Sequence, residues 1–203
     1  GEPDIVQISG GEPTIHPQFF EILDAARERP IRHLMVNTNG LRIARDQEFA
    51  EKLAEYMPGF EVYLQFDSFE EHTLHELRGA DLRDTRFAAL ERLNELGIST
   101  TLVVTLVKGL NDHEIGKIID FALKQPAVRG VTFQPMQNAG RVENIDVEES
   151  RLTLTGVRRR ILEQSDLFQP ADILPVPCHP DCIAMAYALK TSDGAIPLTG
   201  MVD

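Results

Sequence analysis

Apolar and polar positions along the first part of the chain predict β-strands and α-helices in alternation. Five short apolar segments have the composition of strands: residues 4–9, 32–38, 61–67, 98–107 and 129–136. Four segments between them repeat apolar residues at helical spacing: residues 17–29, 45–57, 84–97 and 111–125. Asn111, with Glu114 three residues later, is predicted to cap the last of these helices. Crossovers of this length predict a parallel sheet with right-handed connections.

Polar residues at alternate strand positions favour a barrel over an open, doubly wound sheet. They lie near the strand ends at Gln7, Ser9, Gln65, Asp67, Thr105 and Gln134. In a barrel, one face of each strand points into the lumen, so a repeated polar face predicts an internal binding site. The alternative is that loop backbone caps these groups and that they bind nothing else. We predict an α/β fold, a parallel partial TIM-like barrel.

The alternation stops after Met136. A polar connector, a helix at residues 157–164 and a proline-rich segment with both cysteines of the chain follow. We predict a partial barrel over residues 1–140 and a C-terminal extension over residues 141–203.

Composition disfavours two classes of function, nucleic-acid binding and membrane spanning. The 203 residues carry a formal net charge of −12 and no basic stripe, which disfavours nucleic-acid binding. No apolar run reaches the roughly 20 residues of a membrane span. Two cysteines without a recognisable secretion signal predict a reducing, cytoplasmic location.

The segment "ISGGEPT" contains the most informative chemistry. Gly10 and Gly11 follow a predicted strand, where glycine lets another group approach the backbone closely. Glu12 adds a carboxylate, which disfavours a phosphate ligand and favours an ammonium group. The dinucleotide fingerprint is absent, since Pro13 interrupts the turn and no third glycine follows at its spacing.

Together with "VNTNG", "LQFDS", "VTLVKGLNDHEI" and "FQPMQNAGR", this segment closely resembles the radical S-adenosylmethionine (SAM) superfamily. The resemblance implies that Gly10, Gly11, Glu12 and Pro13 bind the methionine amine of SAM. It implies that the ribose and the methionine carboxylate contact Thr38, Asn39, Gln65, Asp67, Ser68 and Thr105. Backbone around Gln134 and Pro135 would contact the adenine. Arg78 matches a recurrent Arg-Gly of the family, but a surface ion pair is its commoner role.

The superfamily's cluster-binding loop, Cys-x3-Cys-x2-Cys, does not occur in this sequence. We therefore expect a fragment of a (β/α)6 barrel without its first βα unit. The intact enzyme would use a [4Fe–4S] cluster and a reductant protein to cleave SAM reductively to a 5′-deoxyadenosyl radical that abstracts hydrogen from substrate. One alternative is a barrel without a cluster that binds a ligand or a partner. Another is a Schiff-base aldolase, for which Lys108 is the lysine nearest a strand end.

Cys178 and Cys182 lie in the proline-rich segment "PVPCHPDC". This segment resembles a subgroup of radical SAM proteins related to tetraether lipid synthase and to a dihydropterin methylase. The resemblance implies that the two cysteines bind an auxiliary iron or iron–sulfur centre, while two ordinary thiols or a zinc site remain open. A lipid chain, a pterin and a modified peptide all remain open as substrates. Exposed barrel edges would favour a homodimer.

Overall fold

A five-stranded sheet forms the frame of the protein, with its strands side by side in chain order. The registers of β1 with β2, β2 with β3 and β3 with β4 are all parallel. The strands are β1 (Ile5–Ile8), β2 (His33–Thr38), β3 (Phe60–Gln65), β4 (Thr100–Leu106) and β5 (Val128–Pro135). This order never reverses, whereas a doubly wound sheet reverses at its switch point. The predicted α/β fold with a parallel, barrel-type sheet is confirmed.

The computed structural model describes residues 3–136, 152–176, 182–192 and 194–201. Contacts divide the chain into two units. The first unit comprises residues 1–104 and 125–132, and the second comprises residues 105–124 and 133–203. The predicted domain boundary at residue 140 falls outside the described residues and stays a prediction. No helix in the described ranges is long and apolar enough to cross a membrane.

Helices of the first unit follow the predicted pattern with two differences. They are α1 (Phe19–Arg27), α2 (Leu41–Arg45), α3 (Gln47–Ala54), α4 (Glu71–Arg78) and α5 (Arg83–Glu95). Helix α3 lies within the helix predicted for residues 45–57, whereas α2 was not predicted. Asp46 between them is extended and accepts a 3.0 Å hydrogen bond from Phe49 N. This residue ends α2 and caps α3. Helix α4 was not predicted, and Gly79 ends it in the left-handed conformation.

One face of the sheet belongs to the hydrophobic core. Side chains alternate along each strand, so every second residue points to this face. The buried residues are Leu34 and Val36 of β2, Phe60, Val62 and Leu64 of β3, and Leu102 and Val104 of β4. Helices contribute Phe19, Leu23, Phe49, Leu53, Leu90 and Leu93, all buried. Thr38 of β2 is also buried, while the alternate residues of β2 and β3 are half-buried, so the sheet has a second, more polar face.

The second unit contains α6 (Ile115–Lys124) and α7 (Leu154–Gln164). Gln164 joins them, because its side-chain Oε1 accepts from Gly116 N at 3.2 Å and its Nε2 donates to Asp112 O at 2.8 Å. Helix α6 begins at Ile115, and the amide of Asn111, its predicted cap, binds Val107 N and Thr105 O, so the cap role stays a prediction. Two short antiparallel pairs follow, β6 (Leu174–Pro175) with β7 (Ala184–Met185) and β8 (Ala188–Thr191) with β9 (Gly194–Pro197).

Candidate functional site

Glu12 joins the C-terminal ends of the first two strands. It caps the 3₁₀ turn Pro13–Ile15, where its Oε1 accepts from Thr14 N at 3.1 Å and from Thr14 Oγ1 at 2.6 Å. The same oxygen accepts from Thr38 Oγ1 at 2.7 Å, while Oε2 accepts from Asn39 N at 2.7 Å. Four hydrogen bonds therefore fix the carboxylate at the mouth of the sheet.

The surroundings of Glu12 fit an ammonium ligand. A Cβ built on Gly10 or Gly11 would meet no atom within 4 Å, so the space beside this backbone is open. Gly10 has φ +137, a conformation that L side chains rarely adopt. Glu12 itself is only half-buried, and an ionised carboxylate oxygen with one hydrogen bond can accept another. The residues present fit the amine of SAM.

Thr38 and Asn39 form the opposite side of this site. Thr38 is buried, and its hydroxyl also accepts from Gly40 N at 3.2 Å. Asn39 is half-buried, and its Oδ1 accepts from Leu41 N at 3.0 Å at the start of α2. The structure therefore brings Thr38 and Asn39, at the end of β2, together with Glu12, as predicted.

Asp67 lies behind the site, where two arginines bind it. Arg78 donates to both carboxylate oxygens, at 2.8 and 2.9 Å, and Arg86 donates to Oδ2 at 3.3 Å. Asp67 is 0% exposed and adopts φ +64, rare for a non-glycine residue. Arg86 also binds Asn39 O at 2.9 Å and Phe66 O at 3.3 Å. The arginine thus connects the ends of β2 and β3, and these contacts support a positioning role for Asp67.

The pKa values of these two arginines are shifted in opposite directions. The hydrogen bond with Asp67 raises the pKa of Arg78. Burial lowers the pKa of Arg86, an effect that the Asp67 charge opposes. Sequence reasoning missed Arg86 and left Arg78 outside the site. The usable signal was that Arg86 shares the apolar stripe of α5 with Ala89, Leu90 and Leu93, which are buried.

The remaining predicted residues divide between the two units. In the first unit, Gln65 ends β3 half-buried, while the hydroxyl of buried Ser68 accepts from Glu70 N at 2.9 Å. In the second unit, Thr105 lies near the end of β4, and Gln134 and Pro135 end β5. Their contacts with SAM stay predictions.

Two further predictions concern single residues. Cys178 lies outside the described residues, whereas Cys182 is exposed and free of a disulfide. A shared metal centre for these cysteines therefore stays a prediction. Lys108, the candidate Schiff-base residue, is exposed in the loop after β4. A Schiff-base lysine is activated by a desolvated pocket or a neighbouring cation, and the exposed position of Lys108 therefore disfavours the aldolase alternative.

A strand-end glycine pair and an adjacent carboxylate on a parallel sheet define the class of this protein. The sequence profile of the Radical SAM superfamily matches residues 1–122, and the chain belongs to this superfamily. Its members are enzymes that use SAM and a [4Fe–4S] cluster.

Two curated enzymes are similar to this chain in sequence. The chain is 31% identical to the 7,8-dihydro-6-hydroxymethylpterin dimethyltransferase of Methanocaldococcus jannaschii, over 98% of this chain and 44% of that protein. It is 25% identical to the GTP 3′,8-cyclase of Cronobacter sakazakii, over 87% of this chain and 53% of the cyclase. The chain thus spans about half the length of these relatives.

A solved structure shows the same fold. It is a domain of the pyruvate-formate lyase-activating enzyme from Bacteroides vulgatus, with a TM-score of 0.56 and 18% sequence identity. The match covers 78% of this chain and 93% of that domain.

Proposed function

We propose that this chain is the SAM-binding core of a radical SAM enzyme whose substrate is a small nitrogen heterocycle. The observation that carries the proposal is the Glu12 carboxylate, fixed by four hydrogen bonds beside the open backbone of Gly10 and Gly11. Glu12 and the carbonyl groups of this backbone bind the amine of SAM. Asn39, on the other side of Glu12, contacts the rest of the methionine or the ribose.

The buried contacts behind the site keep this arrangement in place. Arg86 holds the Asn39 carbonyl, and Asp67 with Arg78 holds Arg86. Thr38 fixes the orientation of the Glu12 carboxylate. Because these groups are already ordered, binding SAM costs little reorganisation of the backbone.

With SAM and a [4Fe–4S] cluster bound, the intact enzyme has the reductive SAM cleavage of the superfamily available, which yields an adenosyl radical for hydrogen abstraction. No Cys-x3-Cys-x2-Cys motif occurs in these 203 residues, and we propose no ligand of that cluster among them. We propose a cytoplasmic location and an electron-donating partner protein for the intact enzyme. Cys178 and Cys182 remain the proposed ligands of an auxiliary centre.

The substrate class rests on what two relatives have in common. One acts on a dihydropterin and the other on GTP, as their names state. Pterin and guanine both contain a 2-amino-4-oxopyrimidine ring, with N–H donors beside a carbonyl acceptor. We propose that the substrate of this enzyme carries the same ring.

The SAM site is tested by changing Gly11 to valine. A side chain there meets open space, so we expect the thermal unfolding midpoint to stay at the wild-type value. The same side chain occupies the space proposed for the amine, so SAM affinity should fall by about tenfold or more, equal to ~1.4 kcal/mol. Isothermal titration with millimolar SAM measures the affinity, and circular dichroism measures the unfolding midpoint.

Two further variants complete this test. Glu12→Gln removes the charge that attracts the ammonium group and should also weaken SAM binding by about tenfold or more. Glu28→Gln changes an exposed glutamate of the same unit and should bind SAM like the wild type. Wild-type affinity in both Gly11→Val and Glu12→Gln would overturn the proposed site.

A further inference from the structure

The sheet face opposite the hydrophobic core carries a row of polar side chains in the first unit. Alternation and register place Asn37 of β2 beside Tyr63 of β3, and Tyr63 beside Thr101 of β4. Glu61 lies one step earlier on the same face of β3, next to Met35. We call Asn37, Glu61, Tyr63 and Thr101 the polar face. Parallel sheets normally bury both faces, so half-buried polar groups in the middle of one face require an explanation.

Asn37 lacks a partner for one buried atom. Its side-chain Oδ1 is among the buried polar atoms of the described residues that accept no hydrogen bond. An acceptor buried without a donor destabilises the folded state. Proteins tolerate this cost where a ligand supplies the missing donor.

Glu61 is held in a defined orientation beside this acceptor. His33 Nε2 lies 2.8 Å from its Oε2, and Thr101 Oγ1 donates to its Oε1 at 2.5 Å. The Glu61 side chain is 12% exposed. Gly130 of β5 makes room for Thr101, because a Cβ there would lie 2.8 Å from Thr101 Oγ1. One bond to each carboxylate oxygen leaves further acceptor positions on both.

Tyr63 lies between Asn37 and Thr101 on this face, and its phenol is hydrogen-bonded with the Thr101 hydroxyl. Burial raises the pKa of its phenol, the Glu61 carboxylate raises it further, and the Thr101 hydroxyl acts in the opposite direction. The phenol therefore keeps its proton at neutral pH. Because Thr101 gives its single proton to Glu61, the Tyr63 phenol donates to Thr101 Oγ1. The polar face therefore offers acceptors at Asn37 and Glu61, which are the complement of a ring edge with neighbouring N–H donors.

From this arrangement we infer that Asn37 and Glu61 form the subsite that recognises the N–H edge of the 2-amino-4-oxopyrimidine ring of the substrate. This inference rests on the proposed function for its substrate class and adds the residues that select it. Asn37 Oδ1 and Glu61 accept from the ring N–H and amino groups. A ring with a second carbonyl in place of the amino group faces two acceptors and is rejected.

Binding of 6-hydroxymethylpterin to the 203-residue chain tests the subsite. The chain contains no tryptophan, so the fluorescence of the pterin can be followed directly. The wild type should bind this pterin at least about tenfold more tightly than the matching lumazine, which carries oxygen in place of the amino group. Equal affinity for the two compounds would contradict recognition of the amino edge.

Asn37→Leu separates a binding role from a structural one. Leucine removes the unpartnered acceptor, so the unfolding midpoint should stay equal or rise, while pterin affinity falls by about tenfold or more. A residue with a purely structural role would lower the midpoint and leave affinity unchanged. That result would exclude Asn37 from the subsite.

Glu61→Gln should also weaken the pterin by about tenfold or more, with Glu91→Gln as a matched control at an exposed position. SAM affinity, measured in parallel, should be unchanged in all three variants. If SAM binds the wild type and the pterin does not, the subsite is wrong and the SAM site stands. If SAM does not bind, the proposed function itself fails.

Discussion

Replacing Arg86 with leucine is expected to lower the free energy of unfolding by about 3–5 kcal/mol. The change removes one partner of fully buried Asp67 and leaves the carbonyl groups of Asn39 and Phe66 without their donor. Each of these groups is then desolvated with fewer hydrogen bonds than the native state provides. Urea unfolding followed by far-UV circular dichroism measures the loss.

Arg83 provides the matched control for Arg86. It belongs to the same helix, but its ion pairs with Asp81 and Glu71 are exposed to solvent. Arg83→Leu should therefore change the free energy of unfolding by less than about 1 kcal/mol. If Arg86→Leu were as mild as the control, the buried contacts of Arg86 would contribute little to holding the ends of β2 and β3.

Replacing Gly116 with alanine should produce the second large loss, about 3 kcal/mol. A Cβ at this position would lie 2.0 Å from the backbone oxygen of Gln164 and 2.8 Å from its carbonyl carbon. Backbone atoms cannot rotate away as a side chain can, so α6 and α7 must move apart. Thermal or urea unfolding monitors the effect.

Gly156, a second glycine in this unit, provides the matched control for Gly116. Gly156 lies in α7, where a Cβ would meet its nearest atom, Thr153 Oγ1, at 3.4 Å. Alanine is a better helix former than glycine by about 1 kcal/mol, so Gly156→Ala should leave stability unchanged or raise it. A loss of similar size in both variants would show that close helix packing at Gly116 is not the cause.

Hydrophobic periodicity was sufficient to predict the order of the main elements, because each core strand and most helices bury one regular stripe. It failed where local hydrogen bonding decided the outcome. Asp46 ends the short helix α2 and caps α3, and α2, with only Ile43 buried, was not predicted. Helix α4 is short and strongly polar, with only Thr73 and Leu74 buried, so its apolar pattern was too weak to detect. The residues of the pairs β6–β7 and β8–β9 are exposed or half-buried. No alternation of buried and exposed side chains therefore indicated these strands.

The sequence predicted the Gly-Gly-Glu part of the candidate site but not the buried contacts of Arg86 behind it. The Gly-Gly-Glu segment is local, so its residues are visible in one short stretch of sequence. By contrast, Arg86 reaches Asn39 across a separation of 47 residues and Asp67 across 19 residues. Sequence spacing alone carries no sign of such pairing. The unpartnered oxygen of Asn37 is likewise a property of the packed sheet and of no motif.

The unreversed strand order has a consequence for how the protein forms. Ile5 pairs with His33, Leu34 with Phe60, and Val62 with Thr100, so each new strand finds its neighbour already present in the preceding stretch of chain. The first unit can therefore assemble by stepwise addition as the nascent chain leaves the ribosome, without waiting for a distant strand to insert between two others.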